Sequence, residues 1–397
     1  MNHRRILTVL CAAIVLWPLS TVADAGTPLV WATGFHLLVG NAIIGLLEGG
    51  LLSRAFGLPA GRCIGLLIIA NYVSAWTGEM LMPHLFWRYA TDIYSGLRVT
   101  WALIAGTYLL TLFVEWPFVA SSFWKTSKWF VRSIKASLLI QSVSYVLLFG
   151  GYWAVSGKSL YTKMDVVSPQ ELSLPNGIVL FYISETNGDV YRADPEFLQD
   201  VKVMALGSTN HWAWAFLDLE ESDTFTNYWD IVAHLVPEQG ENQSVVVFPC
   251  VSTVGLVAEE QAWRTTKYGG WGREAFQIGA ATNSNWKFGW AHWPDIGMWA
   301  RNGSRTVRVA FGTPFGGWSA ARVIHLPDDK ALLQLGSHQI CLVDVVNRKI
   351  ALVRNGHGML ALSKDQIVEP GGAANPDKSG PIRSETNRTS SAAGSRR

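Results

Sequence analysis

The sequence predicts a membrane domain of four transmembrane helices, preceded by a signal segment and followed by an exported all-β domain. Three observations support this fold class: the concentration of apolar residues in the first 156 positions, the basic residues in short connectors, and the turn motifs of the second half. The chain is 49% hydrophobic and 16% charged over 397 residues, whereas roughly a quarter of an ordinary soluble domain is charged. Its formal net charge is +2 and it has no basic stripe, so nucleic acid is not an expected partner.

Residues 1–25 have the features of a secretory signal peptide. Arg4 and Arg5 precede an apolar run, and Ala23-Asp24-Ala25 matches a cleavage site with small flanking residues. The alternative is a signal anchor that is not cleaved.

Residues 26–156 contain four apolar segments that can each cross about 30 Å of hydrocarbon. These segments are Leu29–Leu52, Ile64–Met82, Val99–Val119 and Ala136–Trp153. The first connector carries Arg54 and Arg62, and the third carries four basic residues, with no acid in either. Because basic connectors stay on the cytoplasmic side, we expect a multi-pass inner-membrane protein whose C-terminal domain lies in the periplasm or outside.

Each apolar segment carries one stripe of small or hydrogen-bonding residues at helical spacing. The stripes are Gly34, Asn41, Gly45 and Glu48; Asn71, Ser74 and Gly78; Thr100, Thr107, Thr111 and Glu115; and Ser137, Gln141 and Ser144 or Tyr145. Since lipid offers polar groups no partner, the stripes should face one another inside a bundle.

Ionisable and amide groups within membrane segments are candidates for function. The candidates are Asn41, Glu48, Asn71, Glu79 and Glu115. The alternative is that the glutamates reach the interface from helix ends while the asparagines join neighbouring helices.

The β-rich domain is predicted over residues 178–367, after a polar linker at 157–177. The clearest hairpin runs from Ile178–Ser184 through Asn187-Gly188 to Asp189–Arg192. Further strands are expected at Val201–Leu206, Trp212–Leu219, Val245–Phe248 and Thr306–Phe311. A final meander is expected at Ala321–Leu326, Ala331–Leu335, Gln339–Val343 and Lys349–Val353. The meander resembles one blade of a β-propeller, and an irregular β-sandwich is an equal alternative.

Six tryptophans fall between residues 263 and 299. Rings at this density, beside polar groups, are typical of a ligand-binding surface, and the candidates are Trp286, Trp290, His292, Trp293 and Asp295. An aromatic core or a surface resting on lipid headgroups would explain them equally simply.

The cysteines predict neither a metal site nor a redox motif, because no C-x-x-C spacing occurs. In an exported domain, Cys250 and Cys341 could form a disulfide, and two buried free thiols are the other option. No cofactor is predicted. Residues 368–397 are rich in Gly, Pro, Ser and charge and contain no aromatic residue, so they predict a disordered tail.

The sequence is compatible with three functions. A binding function is favoured over a catalytic one because no catalytic motif such as G-x-S-x-G or H-E-x-x-H occurs. In the first, the exported domain binds a ligand or an envelope partner as an anchor, sensor or assembly factor. In the second, an envelope hydrolase or transferase acts on a glycan or lipid-linked substrate at the tryptophan-rich region. In the third, a small transporter subunit uses Glu48 and Glu115.

Overall fold

A computed structural model describes residues 34–155, 163–194, 200–206, 212–223, 228–237, 241–252, 272–277, 284–291, 297–310 and 312–367. The predicted signal segment at 1–25 and the predicted tail at 368–397 lie outside these residues. The described chain consists of four long apolar helices and a separate curled antiparallel β-sheet domain.

The four helices confirm the four predicted apolar segments. They are α1 (His36–Phe56), α2 (Ala60–Tyr89), α3 (Ile93–Phe123) and α4 (Trp129–Val155). By length and composition each is able to cross a membrane. The helices α2 and α3 extend beyond the predicted segments at both ends, and each contains an internal proline, Pro83 and Pro117.

Local signals set the helix ends. Gly57 ends α1 in a left-handed conformation with φ of 66°, which glycine adopts at little cost. Asp92 caps α3: its carboxylate accepts hydrogen bonds from the backbone N–H groups of Tyr94 and Ser95, and the Ser95 hydroxyl accepts one from the Asp92 N–H. Consecutive helices run in opposite directions. The connectors α1–α2 and α3–α4 lie at one end of the bundle, and the α2–α3 connector lies at the other.

The strands of the described residues account for most of the second half. They are β1 (Asp165–Val166), β2 (Ile178–Ser184), β3 (Val190–Ala193), β4 (Val201–Met204), β5 (Trp212–Glu221), β6 (Tyr228–Pro237), β7 (Gln243–Ser252), β8 (Gly272–Glu274), β9 (Phe276–Gln277), β10 (Lys287–Ala291), β11 (Gly297–Asn302), β12 (Arg305–Ala310), β13 (Gly312–Thr313), β14 (Gly316–Gly317), β15 (Ala320–Leu326), β16 (Lys330–Leu335), β17 (Gln339–Asp344) and β18 (Lys349–Ser363).

One sheet of nine strands forms the body of this domain, in the order β4-β3-β2-β18-β17-β16-β15-β9, with β1 paired to β18. The predicted hairpin is β2–β3 and the predicted meander is β15–β18, both antiparallel. The long strand β18 pairs with β17 through its first half and with β2 through its second. Hairpin and meander are therefore parts of one continuous sheet.

Three smaller sheets complete the domain: β5-β6-β7, β12-β11-β10-β8 and the hairpin β13–β14. The first contacts β2 and β18 through a buried cluster that includes Phe181, Leu217, Ile231, Phe248 and Leu360. The contact is close at Gly358, where φ is 60° and a Cβ atom would lie 2.7 Å from the Cα of Phe216. Glycine is needed at this position for both reasons.

The β domain sits directly on the ends of α2 and α3. Phe86 of α2 is buried against Trp318, with 5.8 Å between ring centroids. At the start of α3, the backbone N–H of Ile93 donates to Oε1 of Gln339 in β17 at 2.8 Å. The shared apolar cluster contains residues of both halves, so helices and sheet meet through a packed interface.

Candidate functional site in the helix bundle

The polar stripes of the four helices meet in the interior of the bundle. The buried polar members of these stripes are Asn41 on α1, Asn71 and Ser74 on α2, Thr100 on α3, and Ser137, Gln141 and Ser144 on α4. Two carboxylic acids lie among them: Glu48 is 2% exposed and Glu115 is 0% exposed.

Glu48 is held by one amide and one hydroxyl from two other helices. Asn71 Nδ2 donates to Oε2 of Glu48 at 2.6 Å, and the Ser144 hydroxyl donates to Oε1. Asn71 Nδ2 also donates to the Leu67 carbonyl oxygen at 3.0 Å. A rotated amide would place its oxygen against that carbonyl, so the second bond fixes the amide orientation.

Glu115 has the same pair of partner types. Gln141 Nε2 donates to Oε2 of Glu115 at 2.5 Å, and the Ser74 hydroxyl donates to Oε1. Each glutamate is thus hydrogen-bonded on both oxygens, as buried polar groups require.

The two sets of contacts repeat one pattern. Each of α1 and α3 supplies a glutamate, and each of α2 and α4 supplies an amide followed three residues later by a serine. Each glutamate binds the amide of the next helix and the serine of the remaining one. Eight residues after the glutamates, Phe56 and Phe123 meet edge to face with centroids 5.4 Å apart. The bundle is therefore built from two similar hairpins, α1–α2 and α3–α4, around one site.

A cavity of about 300 Å³ opens onto this site. All four helices line it, together with Thr313, Pro314 and Phe315 of the β13–β14 hairpin. Aromatic rings form much of the wall, contributed by Trp101, Tyr145, Phe149, Tyr152 and Trp153. None of the described residues that line it is lysine or arginine.

All five intramembrane residues proposed from the sequence line this one cavity: Asn41, Glu48, Asn71, Glu79 and Glu115. Asn41 donates to the Leu37 carbonyl oxygen of its own helix at 3.3 Å. The Nδ1 atom of His36 lies 3.2 Å from the Tyr152 hydroxyl oxygen. Sequence reasoning did not identify the contribution of Thr313–Phe315, since no pattern in the chain relates that turn to the helices.

The arrangement can hold positive charge. A carboxyl group removed from water is stable only when it is protonated or when a nearby cation balances its negative charge. Within the described residues no group of three or more His, Cys, Asp and Glu side chains could hold a metal ion. A proton or a bound cation would meet this requirement at Glu48 and Glu115.

The tryptophan-rich candidates are placed differently. Trp286 and Trp290 are each 4% exposed and belong to the cluster that joins the β domain to the helices. Both rings are thus part of a core, which was the alternative interpretation. His292, Trp293 and Asp295 lie outside the described residues.

Cys341 is a free thiol in β17 and is fully buried. Burial raises the pKa of this thiol, so the group is neutral and unreactive near neutral pH. The side chain of Cys250 is not among the described ones, and the proposed disulfide with Cys341 gains no support.

No protein-family model, curated protein or solved structure matches this chain.

Proposed function

We propose that this chain is a multi-pass membrane protein that binds a small organic cation in the cavity of its helix bundle. One observation carries the proposal: Glu48 and Glu115 line a cavity of about 300 Å³ that has no lysine or arginine among its described lining residues. Carboxylic acids are costly inside hydrocarbon, and those found there mark ligand or ion sites by default.

The size and the walls of the cavity favour a ligand with an apolar body. A volume of about 300 Å³ is at the lower end for small-molecule sites. Rings such as Trp101, Phe149 and Trp153 form part of the cavity wall, and aromatic faces attract ammonium groups. The proposed ligand class is therefore an amine or quaternary ammonium with an apolar substituent.

The outer surface of the bundle supports a lipid environment. Phe113 is 80% exposed, Val146 72% and Met80 67%, and large apolar side chains exposed on a helical surface are expected to contact lipid or a partner. The basic connectors with Arg54 and Arg62, and with Lys125 and Lys128, lie at the end of the bundle opposite the β domain. With basic connectors in the cytoplasm, the β domain would lie outside the inner membrane and cover the mouth of the cavity.

A matched pair of ligands tests the proposal. Benzyltrimethylammonium and its neutral carbon isostere neopentylbenzene have the same shape, and only the first is charged. The full chain in lipid nanodiscs should bind the ammonium compound, as measured by calorimetry or by tryptophan fluorescence, and should prefer it over the isostere.

Variants locate the binding site. Glu48→Gln and Glu115→Gln should each weaken binding by about tenfold or more. Glu171→Gln removes an exposed acid from the segment after α4 and should leave the affinity unchanged. Equal affinity for both compounds, or no effect of either glutamate variant, would refute the proposal.

A further inference from the structure

The two oxygens of each buried glutamate have partners of different kinds. Oε2 of Glu48 faces Asn71 Nδ2, whose orientation is fixed by its second bond to the Leu67 carbonyl. An amide nitrogen only donates, so Oε2 is always an acceptor. A proton on Glu48 therefore belongs on Oε1, which faces the Ser144 hydroxyl.

The Ser144 hydroxyl has two acceptors within reach. Besides Oε1 of Glu48, its Oγ lies 2.9 Å from the Ile140 carbonyl oxygen. A hydroxyl carries one hydrogen and two lone pairs. When Glu48 is ionised, the serine O–H donates to Oε1. When Glu48 is protonated, its own O–H donates to Oγ, and the serine hydrogen turns to the Ile140 carbonyl.

Glu115 has the same arrangement. Its Oε2 accepts from Gln141, and its Oε1 faces the Ser74 hydroxyl. Ser74 Oγ lies 3.1 Å from the Asn71 carbonyl oxygen, the alternative acceptor. Both protonation states of both acids are thus fully hydrogen-bonded after rotation of a hydroxyl, with no change in the position of any heavy atom.

We propose that the carboxyl groups of Glu48 and Glu115 exchange protons for the bound cation, with Ser144 and Ser74 as the switching partners. This inference rests on the proposed binding function. As the cation enters, an O–H bond of a carboxyl group breaks, the proton passes to water, and the carboxylate keeps the electron pair and balances the ligand charge. Binding therefore weakens as the pH falls.

Other titratable groups face the same cavity and must be separated from this effect. They are His36 on α1, Glu79 on α2, and Tyr145 and Tyr152 on α4. Among the described lining residues, α3 contributes only Glu115 and the β13–β14 hairpin contributes none. Histidine ordinarily titrates near neutral pH, so His36→Gln is the essential control.

Two measurements on the full chain in nanodiscs test the exchange. Addition of benzyltrimethylammonium, which carries no exchangeable proton on nitrogen, to weakly buffered protein with an indicator dye should release about one proton per bound cation. Infrared difference spectra between low and high pH, recorded without ligand, should show a carboxylic-acid C=O band that Glu48→Gln and Glu115→Gln reduce.

The serine variants separate switching from packing. Ser144→Ala and Ser74→Ala remove the oxygen that accepts the acid proton, so the C=O band should shift in frequency. Ser142→Ala, on the exposed side of α4, should leave the band unchanged, and His36→Gln should preserve proton release.

The outcomes distinguish the two proposals. Glutamate-dependent binding without proton release or pH dependence would overturn the exchange and leave the binding function intact. Absence of binding, together with a pH-sensitive C=O band that shifts in the serine variants, would overturn the binding function and support the proton site. A band that neither serine variant moves, or release that is lost in His36→Gln, would overturn the assignment to these residues.

Discussion

A Cβ atom on Gly49 would lie 2.4 Å from the Cα of Ile64, so the backbones of α1 and α2 are in direct contact at this point. Gly45, one turn earlier on the same face, is equally close, with its Cβ position 2.6 Å from the Cα of Ile68. This close approach brings Glu48 on α1 within hydrogen-bonding distance of Asn71 on α2.

Gly49→Ala should therefore destabilise the bundle by roughly 1–3 kcal/mol, the usual cost of overpacking. Gly50→Ala is the matched control, since nothing lies within 4 Å of its Cβ position. In the control the better helix propensity of alanine should be neutral or stabilising by up to about 1 kcal/mol. Thermal unfolding in detergent compares the two, and a melting temperature raised equally in both would contradict the close contact.

Tyr94 links the start of α3 to the β domain through hydrogen bonds. Its hydroxyl donates to the Val167 carbonyl oxygen at 2.8 Å and accepts from the Leu352 N–H at 3.2 Å. Tyr94→Phe should lower stability by roughly 1–3 kcal/mol, because two backbone groups lose a partner. Hydrogen exchange at the Leu352 amide should become faster.

The control for this variant is Tyr89→Phe at the end of α2, where the ring is 55% exposed. It should change neither the melting temperature nor the exchange rate. Unchanged exchange at Leu352 in Tyr94→Phe would show that the hydroxyl does not hold the two halves together.

We expect His325 to make the β domain less stable in acid. Burial lowers the pKa of this side chain from 6.5 to about 4, partly offset by the charge of Asp329. Between these values the unfolded chain binds more protons than the folded one, so stability falls as the pH drops from about 6.5 to about 4 and levels off below. The full loss from this residue is about 3 kcal/mol.

His325→Gln should therefore flatten the stability profile between neutral pH and pH 4, measured by tryptophan fluorescence during denaturation. Part of the slope should remain, since burial also lowers the pKa of His357. His84→Gln, at an exposed site on α2, serves as the control. A slope that is unchanged in His325→Gln would show that this histidine is not the origin of the acid sensitivity.

The polar interior of the bundle could be predicted because spacing alone assigns residues to a helix face. The intervals between Asn41, Gly45 and Glu48 place all three on one side of α1, and lipid leaves only the interior for them. The partners of each acid could not be predicted. They depend on how far each helix is shifted along its neighbour, which is set by contacts such as Gly49 against Ile64.

The β domain could also be predicted only in part. Short turns predicted the meander β15–β18, and the strand expected at Thr306–Phe311 is β12. Strands β6, β8, β10 and β11 were not predicted, because they lie within long apolar or tryptophan-rich stretches. The burial of Trp286 and Trp290 was equally beyond the sequence, because aromatic rings serve in cores and in binding surfaces alike.

Helix α3 belongs to both halves of the molecule. Its first residue, Ile93, is bonded to Gln339 of the sheet, and Glu115 lies 22 positions further along the same helix, a distance of about 33 Å. A continuous helix of this length is rigid. A change in its tilt near Glu115 would therefore move its first turn, where Ile93 contacts the sheet. A probe attached to the β domain should therefore report events deep in the bundle.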